Sequence, residues 1–225
     1  MLMISYNEIS EFFHQYRNKN RHCNLKMEQE QTIKIVLLGS AGVGKSSILK
    51  RYISDDFENR EQPTLGASFH SKTVKMKDKS YKFQIWDTAG QEKYAPLAVM
   101  YYRDAHVVLL VYDTTCKDSF EVLKGWHEEV KEKGMSNVVM MVIGNKNDLI
   151  DRQEVDPERA RAYADSIGAG FKLTSAKENS GIKEVFEKII EKILQNQILA
   201  EEEKKGLKLK DDGTSNGANS EKKCC

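Results

Sequence analysis

No apolar run in the 225-residue sequence approaches the ~18 residues of a membrane-spanning helix. The four cysteines, Cys23, Cys116, Cys224 and Cys225, are too scattered for a metal site or a disulfide framework, so a reducing, cytosolic setting is the natural reading. The formal net charge of +1 gives no global basic field, and nucleic acid is not an expected partner. The opening residues also lack the continuous apolar core of a signal peptide.

What is present begins with an ambiguous stretch. In residues 1–31, Ile9, Phe12, Phe13 and Tyr16 would share one helix face, and a basic cluster (Arg17, Lys19, Arg21, Lys26) follows. A membrane-surface helix and a disordered extension both fit, and the composition favours the extension. Met27 stands close enough to the folded pattern to be a start. The remaining length suits one α/β domain, residues 32–197, with a tail, 198–225.

The domain opens on a short apolar, β-branched run, Ile33 with Ile35 to Leu38, which reads as a buried parallel strand. Gly39 to Ser47 then reads Gly-Ser-Ala-Gly-Val-Gly-Lys-Ser-Ser, matching G-x-x-x-x-G-K-[ST], and helical spacing continues to Ile53. Strand, glycine loop and helix in that order make a phosphate cradle. The glycines let successive N–H groups of Ala41, Gly42, Val43, Gly44, Lys45, Ser46 and Ser47 face one anion at the positive end of a helix. Lys45 would reach the β- and γ-phosphates and Ser46 would ligate Mg²⁺. A polar connection, Asp55 to Gly66, follows, and in it Thr64 offers a second hydroxyl for the metal, held there while a γ-phosphate is present.

Two strands come next, Ala67 to Met76 and Tyr81 to Trp86, joined by a polar turn at Lys77 to Ser80. The second ends in Trp86-Asp87-Thr88-Ala89-Gly90-Gln91-Glu92. Asp87 at a strand end can hold Mg²⁺ through water, Gly90 can offer its N–H to the γ-phosphate, and Gln91 can orient a water for in-line attack. Alone, Asp-Thr-Ala-Gly is weak. Placed about forty residues beyond a phosphate loop, it is a strong signal.

These residues resemble the small GTPases of the Ras superfamily, and specifically the Rab family. Trp86 to Glu92, followed by Tyr94 and by Met100-Tyr101-Tyr102-Arg103, is similar to the Rab pattern. Pro63 to Phe69 and Leu97 to Tyr102 most resemble the early-endosomal branch. The resemblance implies a doubly wound α/β G domain with a six-stranded, mostly parallel sheet and about five helices. It implies a GTP-hydrolysing switch in vesicle traffic, with Mg²⁺ and GTP or GDP bound. Phe69, Trp86 and Tyr101 would correspond to the aromatic triad that effectors read, although ordinary packing also suits them.

Further along, Val138 to Gly144 reads as a strand ending in Asn145-Lys146-Asn147-Asp148, the Asn-Lys-x-Asp pattern. The Asp148 carboxylate can accept from guanine N1–H and its 2-amino group, a pair of donors that adenine lacks. A site built on required hydrogen bonds discriminates by ~10⁴ or more. Lys146 can lie along the base plane and contact the phosphate loop. By resemblance Ser175, Ala176 and Lys177 complete the base site, with the Ala176 N–H on guanine O6, and Phe57 packs on the purine face. A helix near Pro157 to Ile167 and a last one carrying the stripe Ile182, Val185, Phe186, Ile189, Ile190, Ile193 and Leu194 close the domain.

From about Ala200 the composition reads as a flexible linker ending at Cys224 and Cys225, which Rabs prenylate, beside Lys222 and Lys223. The implied partners are an exchange factor, a GTPase-activating protein, a GDP dissociation inhibitor, an escort protein with geranylgeranyl transferase, and effectors. The implied location is the cytoplasmic face of intracellular, endosomal membranes, cycling through cytosol. Three residues depart from the family: Ala41, near the γ-phosphate; Asp104, where glycine is usual; and Leu173, where glutamate is usual. A binding module without turnover and a P-loop ATPase or nucleotide kinase are the alternatives; Gln91 argues against the first and Asp148 against the second.

Overall fold

The computed structural model describes residues 30–59, 62–76, 79–90 and 95–211, the last of these without side chains beyond 196. The apolar runs form strands β1 (Gln31–Leu38), β2 (Ala67–Met76), β3 (Lys79–Thr88), β4 (Val107–Asp113), β5 (Val139–Asn145) and β6 (Gly170–Leu173). Helices α1 (Lys45–Ser54), α2 (Ala95–Tyr102), α3 (Lys117–Lys133), α4 (Pro157–Ser166) and α5 (Ile182–Asp211) alternate with them. The sheet order is β2-β3-β1-β4-β5-β6, with β2 antiparallel to β3 and the other pairs parallel. This is the expected α/β class.

Why the strands read as unbroken apolar runs follows from this layering. Successive side chains point to opposite faces, and helices cover both. Ile33, Ile35 and Leu37 pack with Phe83, Ile85 and the α5 stripe Ile182, Val185, Phe186 and Ile189. Their neighbours Val36 and Leu38 face the other way, onto Phe120, Leu123 and Val130 of α3 and Ala160 and Ala164 of α4. Tyr52 of α1 stacks on Phe186, ring centroids 3.5 Å apart, fixing α1 against α5. At α4, Asp156 caps the first turn by accepting from the Glu158 N–H at 3.0 Å, with Pro157 at the first helical position.

Two details differ from the sequence reading. The ladder between β2 and β3 continues to the pair Met76↔Lys79, so Lys79 and Ser80 belong to the strand rather than to a four-residue turn. The alternation of buried and exposed residues in β3 sets that register. Helix α5 runs on to Asp211, past Ala200, because Glu201 to Lys205 are strong helix formers that extend an existing helix at no nucleation cost. Asp104 needs no left-handed backbone: among described non-glycine residues only Asp55, Lys146 and Asn179 have positive φ. Its carboxylate instead pairs with Lys34 of β1, and that contact holds its pKa below the usual range. Leu173, where glutamate is usual, packs half-buried against the α3 and α4 core. No described helix is long and apolar enough to cross a membrane.

Candidate functional site

All the parallel strands end at one edge, and the loops leaving them converge there, as open α/β sheets require of a ligand crevice. A cleft of about 500 Å³ opens at this edge. The β1–α1 loop, the connection before β2, the end of β3, the β5 loop and the β6 loop line it. Of the residues read from the sequence, Ala41, Gly42, Gly44, Lys45, Ser46, Ser47, Phe57, Thr64, Gly90, Asn145, Lys146, Asp148, Ala176 and Lys177 line it directly. Val43, Asp87 and Ser175 lie behind, buried.

The phosphate loop is shaped by glycine at a point where nothing else fits. Gly44 has φ 93° and precedes α1; a Cβ there would lie 2.3 Å from Asn145 Nδ2. Gly90 presses on the same loop, where a Cβ would lie 2.4 Å from the Ser40 carbonyl and the Ala41 nitrogen. Real Cβ atoms do not approach so closely, so the end of β3 and the phosphate loop are in contact only because residue 90 is glycine. The Ala89 N–H donates to the Gly66 carbonyl at 2.8 Å, which ties the loop before β2 to the same point.

Lys45 curls back over the loop and donates to the Gly39 and Ser40 carbonyls at 2.8 and 2.9 Å. Burial pulls its pKa down to about 8, with Asp87 opposing the shift. Beside it three oxygens converge. Ser46 Oγ donates to Asp87 Oδ2 at 2.6 Å and lies 2.9 Å from Thr64 Oγ1, which is itself 3.4 Å from Asp87 Oδ2. Burial raises the Asp87 pKa, against the Ser46 hydroxyl and the Lys45 ammonium. Its second oxygen, Oδ1, is buried without any hydrogen-bond partner. A buried carboxylate oxygen left unpaired is costly, and it marks a place where a cation or donor belongs.

At the other end no buried side-chain polar atom among the described residues lacks a partner. Asn145 donates from Nδ2 to the Val43 carbonyl at 2.9 Å, and its Oδ1 accepts from Thr174 Oγ1 at 3.2 Å and the Ala176 N–H at 3.3 Å. One buried amide therefore ties the phosphate loop to the β6 loop. Ser175 Oγ donates to Asp148 Oδ1 at 2.6 Å and accepts from the Glu178 N–H. Lys146, at φ 64°, directs its ammonium onto Asp113 Oδ2 at 2.6 Å rather than onto the phosphate loop as the sequence reading has it. Asp113 is free to take it because its other oxygen is occupied by the N–H and hydroxyl of Thr115.

Glu58, Asn59, Gln62, Pro63 and Leu149 also line the cleft and were not singled out by the sequence. The first four lie in a connection recognisable only as a polar loop, and Leu149 follows Asp148 without chemistry of its own. Phe69, Trp86 and Tyr101 form a separate surface: Phe69 and Tyr101 each lie 5.1 Å from Trp86, centroid to centroid. Phe69 is half exposed, and Leu65, Leu97 and Met100 are exposed as well. Gln91, the residues before Glu30, and Cys224 and Cys225 lie outside the described residues.

Comparison with known proteins places these features in a family. A Ras family model matches residues 34–195. The chain is 50% identical over 161 residues to the Ras-related protein Rab-31 of Rattus norvegicus, covering 72% of this chain and 83% of that protein. It is 46% identical over 178 residues to Rab-22A of Homo sapiens, covering 79% and 92%. It is 43% identical over 164 residues to Rab5A of Oryza sativa subsp. japonica, covering 73% and 81%.

Proposed function

The chain belongs to the Ras family, among its Rab proteins, and on that premise we propose that the cleft at the carboxyl edge of the sheet is its guanine-nucleotide site. As a Rab protein it is a GTP-binding switch of vesicular membrane traffic that hydrolyses GTP to GDP and phosphate. One cleft has hydroxyls and a lysine at one end and a held carboxylate at the other, as a guanosine triphosphate requires, and this pairing carries the reading.

At the base end, Asp148 presents a carboxylate whose orientation Ser175 fixes, and Asp148 would accept the two guanine donors. The Ala176 N–H sits beside it, positioned through Asn145. Phe57 and Lys146 both line the cleft, where Phe57 would offer an aromatic face to the purine and Lys146 the stem of its side chain. At the phosphate end, loop N–H groups and Lys45 would take the anionic oxygens. A triphosphate there would raise again the pKa of an ammonium that burial lowers.

Ser46, Thr64 and Asp87 fit Mg²⁺: they are hard oxygen donors, they converge, and Asp87 Oδ1 lacks a partner. When bound, the ion would neutralise charge on the β- and γ-phosphates. Gln91 follows Gly90 directly, and there it would orient the attacking water. Thr64 and Gly90 would be held by the γ-phosphate and freed when it leaves, releasing the loops on either side of β2 and β3. Ala41 stands exposed in the same cleft, where an activating protein would approach.

Regulators and effectors act on this family in general. Here the exposed Leu65, Phe69, Leu97 and Met100 beside Trp86 and Tyr101 offer the effector surface. An exchange factor, a GDP dissociation inhibitor and the escort and geranylgeranyl transferase pair complete the cycle, the last acting on Cys224 and Cys225. The similarity to Rab-22A and Rab5A supports an endosomal membrane as the location, and prenyl groups on Cys224 and Cys225 would provide the attachment.

The experiment is base selectivity. Asp148→Asn exchanges a pure acceptor for an amide that also donates, and xanthine carries a carbonyl where guanine has its 2-amino group. Competition of GTP and XTP for a fluorescent guanine nucleotide should show preference moving from GTP towards XTP. Retention of the wild-type ratio would place base recognition elsewhere.

A further inference from the structure

Arg51 of α1 does not line the cleft, yet its guanidinium holds two walls of it together. Its Nε donates to the Ala176 carbonyl at 2.9 Å and its Nη2 to the Lys177 carbonyl at 3.2 Å, both in the β6 loop. Its Nη1 donates to the Asp55 carbonyl at 2.7 Å and lies 3.3 Å from the Asp55 carboxylate, at the root of the connection that carries Phe57 and Thr64. The same guanidinium lies 5.9 Å from the centre of the Phe57 ring. The side chain is 15% exposed, and its bond to the Ala176 carbonyl is the part-buried one, while its contacts to Asp55 and Lys177 face solvent.

A second contact joins the same two walls. Asp55 ends α1 in the left-handed region at φ 56°, its N–H donating to the Arg51 carbonyl, and Asn179 has φ 53°, a conformation that Asp and Asn adopt more readily than other residues with a Cβ. Asn179 Nδ2 donates to Asp55 Oδ1 at 2.7 Å, so the end of α1 and the segment after the β6 loop are tied directly as well as through Arg51. A planar fork of fixed N–H directions suits this task, since it reaches three carbonyls and a carboxylate on two separate segments.

We infer that Arg51 is a positioning residue that latches the β6 base loop to the root of the loop before β2, and that it sets how long a guanine nucleotide is retained. The inference rests on the nucleotide-site reading above. The base is enclosed by Phe57 on one side and by Ala176 and Lys177 on another, and the latch joins those two walls. Release of the base requires them to part. Opening therefore breaks charge-assisted hydrogen bonds that Arg51 makes in the closed form, the part-buried one to the Ala176 carbonyl among them.

The test is the dissociation of a fluorescent GDP and a fluorescent GTP analogue from the full chain at fixed Mg²⁺, with thermal stability measured alongside. Arg51→Ala should release both nucleotides about tenfold faster or more, the loss of one or two charge-assisted hydrogen bonds. The two factors should match, because the latch touches the base walls and not the γ-phosphate. Arg51→Lys should fall between Arg51→Ala and wild type. Asn179→Ala, a milder change on the surface, should accelerate release in the same sense, and the double variant should show less than the product of the two effects. Release rates within about twofold of wild type in both Arg51→Ala and Asn179→Ala, whatever the melting temperature does, would overturn the latch. So would acceleration confined to GTP. A wild-type chain that fails to hold guanine nucleotide would overturn the site reading itself, and the inference with it, and is distinguished by being seen before any substitution is made.

Discussion

The two ends of the cleft are built on opposite plans. At the base end Asn145 and Ser175 are paired before any ligand arrives, and they hold the Ala176 N–H and one Asp148 oxygen in place. At the phosphate end Ser46 and Thr64 lean on each other and on Asp87, Asp87 Oδ1 has no partner, and Lys45 falls back on loop carbonyls. On the proposed reading the difference has a physical use. A network formed in advance costs little to reorganise on binding, so it would discriminate between bases. A cluster that is incomplete would gain most from the missing charge, and so would respond to a γ-phosphate and its cation. Selectivity would then belong to the first end and switching to the second.

The comparison breaks most severely at Asn145, the one side chain that serves both ends. Asn145→Ala strands the Val43 carbonyl, the Thr174 hydroxyl and the Ala176 N–H in a buried place, at ~1–3 kcal/mol for each group left unsatisfied. Nucleotide affinity should fall for GTP and GDP alike and the melting temperature should drop. A calorimetric titration showing loss for GTP only would mean that the ends are not joined here.

Next in size is Ser46→Asn, which strikes the phosphate end alone. It removes a hydroxyl of the converging oxygens, so the variant should bind GTP much more weakly than GDP and sequester its exchange factor. Equal GTP and GDP affinities at saturating Mg²⁺ would remove Ser46 from the metal site. Gln91→Leu is expected to be smaller still: nucleotide affinities stay near wild type while single-turnover phosphate release slows, modestly if Ala41 already limits the rate. An unchanged rate would show that Gln91 does not position the water.

The smallest expected effect on the cleft comes from Cys224 and Cys225. One lipid chain gives only reversible membrane binding, at ~0.8 kcal/mol for each buried methylene, and two hold firmly. Changing both cysteines to Ser should leave nucleotide binding intact and move the protein to the soluble fraction of fractionated cells. If the double variant still sediments with membranes, the N-terminal segment with Phe12 and Phe13 is the better anchor, and truncation to Met27 tests it.

The chemistry of both ends is legible in the sequence, and the contacts that support it are not. Glycine loops, Lys45, Ser46, Asp87, Asn145 and Asp148 stand in fixed local patterns after strands, so the sequence alone brings them to one edge of a parallel sheet. What supports them does not lie in local patterns. Arg51 reaches Ala176 across 125 positions, and Lys34 reaches Asp104 across 70. Such contacts exist only once β1, α1 and the β6 loop are packed, and no spacing announces them. Lys146 shows the same limit: its motif marks a base-binding lysine, but its partner here, Asp113, is set by the end of β4. The extension of α5 to Asp211 was hidden for another reason, since a Glu- and Lys-rich stretch suits both a solvated tail and a helix continued from a packed one.

Backbone hydrogen exchange of the full chain in its GDP form and in a complex with a non-hydrolysable GTP analogue tests the division most directly. The account predicts that amides of residues 62–66 and 89–90 gain strong protection with the GTP analogue, while residues 144–148 and 174–177 are protected equally in both. Equal protection of residues 62–66 and 89–90 in the two forms, or a change as large in residues 144–148 and 174–177, would contradict it.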